Sequence, residues 1–197
     1  MKSIESLVQA LLQAKEAYYN NDPVMSDAAF DAMEEELREL DPENPYFGIV
    51  GAAVTGDRKI RHDRPMLSMQ KGKTAADIAK WMEKLSLPDG TRYTAEPKID
   101  GLSASCRYEN GRLAWIATRG DGETGQDISH VAKPIGIPQM INLPGTVDIR
   151  GELYLPKDTA FDTGGRPLRN NCVGLINRKE NLDGLRHVHF VAYQLDG

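Results

Sequence analysis

Apolar residues at the start of the chain recur at intervals of three and four: Ile4, Leu7, Val8, Leu11 and Leu12. That spacing lines one face of a helix, and Ser3 is placed to cap it. A second helix is predicted behind Ser26, with Phe30, Met33, Leu37 and Leu40 on its buried stripe and Pro42 and Pro45 closing it. Residues 48–73 are mixed and glycine-containing, which predicts loop. A third, shorter helix opens at Thr74 and carries Ile78, Trp81, Met82 and Leu85 on one face before LPDG ends it.

Beyond that point the period changes to two. Residues 93–98, 102–108 and 112–118 read as strands, the last two joined through Glu109-Asn110-Gly111. Asn-Gly supplies the positive φ angles of a tight hairpin turn. Residues 146–155 alternate cleanly: Val147, Ile149, Leu153 and Leu155 point one way, Asp148, Arg150, Glu152 and Tyr154 the other. The segment HVHFVAYQL near the C-terminus reads as a buried strand. There is no repeat and no low-complexity tract. The pattern predicts an α+β chain, with a small helical N-terminal unit followed by a mostly antiparallel sheet.

Composition narrows the function. The 197 residues carry a net charge of -5. A stand-alone DNA clamp is expected to be basic, because phosphate contacts dominate affinity, so this chain is not by itself the main grip on a nucleic acid. Cys106 and Cys172 lack metal-ligand spacing and read as buried thiols in a reducing compartment. No apolar run approaches the roughly 20 residues of a membrane span. The N-terminal apolar residues are interrupted by charge, unlike a signal peptide. A cytoplasmic protein without a membrane partner is expected.

Four stretches could carry chemistry. In TAEPKIDGLSASCRY, Glu96 and Lys98 share a strand face, and Asp100 follows just before Gly101. This is either a solvated charged edge or a lysine nucleophile. A lysine is a nucleophile only once its proton is removed. Flanking acids favour the charged ammonium and cannot activate it, so they would hold a sugar, a base or a metal. In DIRGELYLP, Arg150 and Glu152 share the polar strand face, as a surface ion pair or as a cleft carboxylate. TRGDGETGQD satisfies G-x-G-x-x-G, but it follows a hairpin arm and precedes no long helix, so a dinucleotide fingerprint is rejected. A glycine turn that lets Arg119 approach a phosphate fits better. In YYNNDPVMSDAAFD, Asp27 and Asp31 fall on one helix face, close to Tyr18 and Tyr19. They are either dipole-favouring acids with packed aromatics or a pocket for a flat cationic ring. His187 and His189 lack a third ligand at metal spacing.

Taken in order, these blocks resemble the N-terminal part of bacterial-type NAD-dependent DNA ligases. The resemblance runs through YY…DPVMSDAAFDAMEEELREL, HDRPMLSM, AEPKIDGLS, ATRGDGETGQDIS, DIRGELYLP, RNNCVGLIN and FVAYQLDG, nearly the whole chain. It implies a helical domain over 1–47 that recognises nicotinamide mononucleotide (NMN). Residues 48–197 would then form an ATP-grasp-like nucleotidyltransferase domain without its last motifs. HDRPMLSM would be a strand on the adenine side. Lys98 would attack the α-phosphate of NAD, release NMN and form lysyl-AMP, ahead of AMP transfer to the 5′-phosphate of nicked duplex DNA in replication and repair. Mg²⁺ would assist. By family pattern Glu96 faces the adenine amino group, Ser68 and Met69 line the nucleotide pocket, and Arg119 and Glu152 contact the ribose and phosphate side. Asp100 supports the lysine loop, and Tyr18, Tyr19, Asp27 and Asp31 hold the NMN half.

The sequence departs from the family in places. Phe30 stands where tyrosine is usual, a histidine is usual near Tyr19, GQD replaces GED, and RNNCVG is a divergent form of an alanine-rich segment. The family continues past the position of Gly197 with two lysine motifs and DNA-binding modules. A monomer is expected, with DNA reached through domains or partners outside this sequence. The alternative is a non-catalytic NAD- or AMP-binding module, or an accessory to another ligase.

Overall fold

The computed structural model describes residues 3–19, 24–49 and 58–197, with Tyr19 and Asp27 described through their backbone only. The helices α1 (Ile4–Tyr19) and α2 (Asp27–Leu40) are followed by a 3₁₀ turn at Pro45–Gly48. Then come β1 (Lys59–Arg61), α3 (Ala75–Leu85), β2 (Leu102–Glu109), β3 (Arg112–Thr118) and β4 (Thr124–Gln126). A short α4 (Ala132–Ile135), β5 (Thr146–Tyr154), α5 (Leu168–Ile176) and β6 (His189–Asp196) complete the chain.

Both predicted caps form. Ser3 Oγ accepts the amide of Ser6, and Ser26 Oγ that of Ala29. The helical pair closes on a small core of Leu7, Leu11, Leu37 and Tyr46, with Val8, Phe30, Met33 and Phe47 against it. Each leucine buried there contributes about 2 kcal/mol of transfer free energy. The predicted stripes are wider than this core, since Ile4, Leu12 and Leu40 stay exposed.

α3 begins as predicted at Thr74, whose side chain and that of Asp77 form a reciprocal capping box. Its apolar face meets no core: Ile78, Trp81, Met82 and Leu85 are all exposed.

Four strands form one antiparallel sheet in the order β3-β2-β5-β6, and β1 pairs separately with β4. The β2–β3 turn is the predicted one, with Asn110 at φ 48° and Gly111 at φ 79°. One sheet face carries Ala104, Cys106, Tyr108 and Leu153, and packs on Cys172, Leu175 and Ile176 of α5 and on Ile128, Val131, Leu185 and Val188. Both thiols are buried inside this core and unpaired, and burial pushes each up to about 12.

Three expectations fail. Residues 91–100 are irregular and largely exposed, so the predicted strand over 93–98 does not form. HDRPMLSM is not a strand either; regular pairing there stops at Arg61. β6 is not buried but is the open edge of the sheet, with Val191, Tyr193 and Leu195 exposed. Among the described residues no helix is long and apolar enough to cross a membrane.

Candidate active site

The polar face of the sheet is built by register. Ser103 opposes Glu152, Ser105 opposes Arg150, and Arg107 opposes Asp148. At the far end these charges are consumed internally. Arg107 donates to both oxygens of Asp148 at 2.8 and 2.6 Å, pairs with Asp63 at 2.7 Å, and lies 4.8 Å over the Trp115 ring. Arg150, only 7% exposed, donates to the carbonyls of Pro65 (3.1 Å) and Arg64 (2.7 Å). Its Nε lies 3.1 Å from Asp196, an ion pair outside hydrogen-bond geometry. Residues 62–66 are thereby strapped across the face. The amides of His62 and Met66 anchor the strap to the carbonyls of Glu123 and Gly122. Arg150 is thus a structural clamp, and the predicted Arg150–Glu152 pair separates into two roles.

The near end is different. Ser103 donates to Glu152 at 2.7 Å. Burial raises the Glu152 pKa, against the Ser103 hydrogen bond and the positive charges of Lys98, Arg169 and Arg119, which lower it. Three cations thus act electrostatically on one half-buried carboxylate. Arg119 arrives through the predicted glycine turn, with Gly120 and Gly122 at positive φ and the Arg119 amide held by the Ser103 carbonyl at 2.9 Å. Lys98 arrives on the exposed loop that ends at Gly101. A Cβ at Gly101 would stand 2.1 Å from the Leu153 carbonyl oxygen, so only glycine lets this loop lie against β5. Asp100 is exposed beside it, and Glu96 is exposed two residues before Lys98.

Sequence reasoning missed three residues here. Arg169 of α5 donates to the Gly101 carbonyl at 2.8 Å and lies 3.6 Å from Asp100 Oδ1, which fixes the loop. Tyr193 of β6, though exposed at the sheet edge, has its pKa raised by partial desolvation and then by Glu152, against a Ser103 hydrogen bond and Arg119. Ser103 itself was visible in the alternation of Ser103, Ser105 and Arg107 with Ala104, Cys106 and Tyr108. Arg169 and Tyr193 had no local signal.

The remaining sequence candidates divide. Tyr18 reaches this cluster: its ring lies 3.9 Å from the Arg169 guanidinium carbon. Asp31 does not; it faces Lys71 at 3.1 Å. Ser68 and Met69 are exposed and form no hydrogen bond or ion pair with the Lys98–Glu152 cluster. The side chains of Tyr19 and Asp27 lie outside the described residues. So does Asp22, before which the resemblance implies a spacing one residue short.

Residues 55–167 match the family model described as NAD-dependent DNA ligase adenylation domain. Among curated proteins, the chain is 34% identical to DNA ligase 1 of Nocardia farcinica, over 98% of this chain and 31% of that protein. It is 38% identical to DNA ligase of Cereibacter sphaeroides, over 95% of this chain and 30% of that protein. For DNA ligase of Hyphomonas neptunium the identity is 39%, over 96% of this chain and 31% of that protein. The chain thus spans about a third of the length of the relatives it matches. On the strength of that matched segment, which contains the Lys98 loop, the Arg119 turn and the Glu152 strand, the chain belongs to the family of NAD-dependent DNA ligase adenylation domains.

Proposed function

We propose that the chain is the adenylation module of an NAD-dependent DNA ligase, with NAD as its substrate. The observation that carries this reading is the Lys98 loop seated against β5 at Gly101 and held there by Arg169, with half-buried Glu152 on the same sheet face. Cations gathered around one carboxylate suit a ligand with both phosphates and ribose hydroxyls. Lys98 Nζ attacks the α-phosphorus of the AMP half. A P–N bond forms, the pyrophosphate P–O bond breaks, NMN leaves with its phosphate, and the amine loses its proton. Lys98 is exposed, so the amine is open to an incoming nucleotide.

Glu152 takes the ribose hydroxyls and Arg119 the phosphate. Asp100, tied to Arg169, positions the lysine loop. Glu96, Ser68 and Met69 line the adenine side. Tyr18, Tyr19, Asp27 and Asp31 hold the NMN half, within a recognition unit over 1–47 separate from a nucleotidyltransferase unit of ATP-grasp-like type over 48–197. Mg²⁺, where bound, would stabilise the phosphoryl charge and would be held largely by water and substrate phosphates. Among the described residues no three His, Cys, Asp or Glu side chains gather into a metal site. The AMP then passes to a 5′-phosphate at a nick in duplex DNA, in a cytoplasmic, monomeric setting where DNA is gripped outside this sequence.

The test is intact mass after incubation with NAD and Mg²⁺. A gain of one AMP, absent in Lys98→Ala, supports the reading. NAD binding by calorimetry without an adduct overturns it in favour of a non-catalytic binding module.

A further inference from the structure

Lys71 lies on the chain between the strap and α3, and its ammonium reaches back to α2. Nζ is 3.1 Å from Asp31 Oδ1 and 3.2 Å from Glu34 Oε2. Two residues on, Lys73 bridges to Glu35 at 2.9 Å. Glu34 also accepts the Tyr46 hydroxyl at 2.9 Å, which ties this carboxylate to the small helical core. Partial burial lowers the Lys71 pKa, but the bonds to Asp31 and Glu34 outweigh it and the net shift is upward. The ammonium is therefore fully charged near neutral pH. Asp31 thus already has a cation of this chain against it.

We propose that Lys71 is an internal competitor for the cationic ring of the substrate, holding Asp31 until the oxidised nicotinamide displaces it. This rests on the reading of Asp31 as part of the NMN site. An ammonium and a pyridinium are both monocations, and a single carboxylate cannot take both at contact without placing like charges side by side. The competitor is tethered, so it is always present at high local concentration. It is also weak: with the Lys71 side chain 69% exposed, water screens the pair. Exposed pairs of this kind move an affinity by only about twofold to fivefold. Lys71 would thus tune occupancy rather than block it. It would also discriminate: the oxidised ring competes with the ammonium for Asp31, whereas the neutral reduced ring gains nothing when the ammonium is removed.

The experiment is calorimetric titration with oxidised and reduced NMN at low salt. Lys71→Met is expected to bind oxidised NMN about threefold more tightly and reduced NMN no differently. Lys71→Arg, which keeps the charge, stays near the native affinity. In an Asp31→Asn background the Lys71→Met gain disappears. Unchanged or weaker binding of oxidised NMN by Lys71→Met, with Asp31→Asn weakening it, overturns the competitor and leaves the NMN site standing. If Asp31→Asn itself leaves oxidised NMN binding unchanged, the NMN-site reading fails and the competitor falls with it.

Discussion

The two ends of one sheet face use the same alternation for opposite purposes. At the far end, Arg107 and Arg150 are matched by Asp148, Asp63, Asp196 and two carbonyls, and a strap of chain lies over them. At the near end, Ser103 and Glu152 feel the charges of Lys98 and Arg119 on loops and of Arg169 on α5. The strand pattern is identical at both. What separates a clamp from a site is whether a strap of chain covers the charges. Where it does, the charges are spent on fixing a segment. Where the charge stands on an exposed loop, as Lys98 does, a ligand can reach it.

The largest test of that contrast is Lys98→Ala. Complete loss of the AMP adduct is expected in the mass spectrum, with an unchanged melting curve because the side chain is exposed.

Next is the clamp. Arg150→Leu leaves two strap carbonyls without their donor and removes the Asp196 ion pair, and a loss of about 3 kcal/mol in urea unfolding is expected. A near-neutral result would mean that the far end is not a clamp.

Gly101→Ala tests the junction. With a Cβ 2.1 Å from the Leu153 oxygen, the loop must shift. Adduct formation is expected to fall about 10²-fold while stability drops by about 2 kcal/mol.

Glu152→Gln is the subtler probe. The amide oxygen still accepts from Ser103, so adenylation is expected to fall about 10²-fold without loss of fold. Burial raises the native carboxyl pKa. The stability of protonated Glu152 is therefore fully present below the unfolded value of about 4.3 and lost as pH rises through the higher folded value. The melting temperature of Glu152→Gln should gain on the native chain across that window, and a constant gap would contradict the burial argument. The smallest effect is at Ile78→Ser on the exposed face of α3, expected within about 0.5 kcal/mol of native.

The sequence made legible what is local. The Asn110-Gly111 hairpin, the caps at Ser3, Ser26 and Thr74, and the two-sided alternation of β5 each follow from a few neighbouring residues. It misread cover. The α3 stripe and HVHFVAYQL both have the pattern of buried elements, yet α3 and β6 are exposed, because periodicity reports which residues share a face and not what lies against it. The Glu96–Lys98–Asp100 triplet alternates like a strand but has no partner strand, and backbone hydrogen bonds rather than side chains decide that. Arg169, 68 residues from the Gly101 carbonyl it holds, could be placed only once α5 and β5 were packed together.

The buried cysteines bear on how all this can be measured. With both thiols pushed up to about 12 inside the core, the thiolate fraction near neutral pH is negligible and the native chain is silent to maleimides and iodoacetamides. A single cysteine introduced at exposed Gln70 would then be the one reactive sulfur, with neither native residue needing removal. A dye there would sit beside Lys71 and report by fluorescence when the lysine leaves α2.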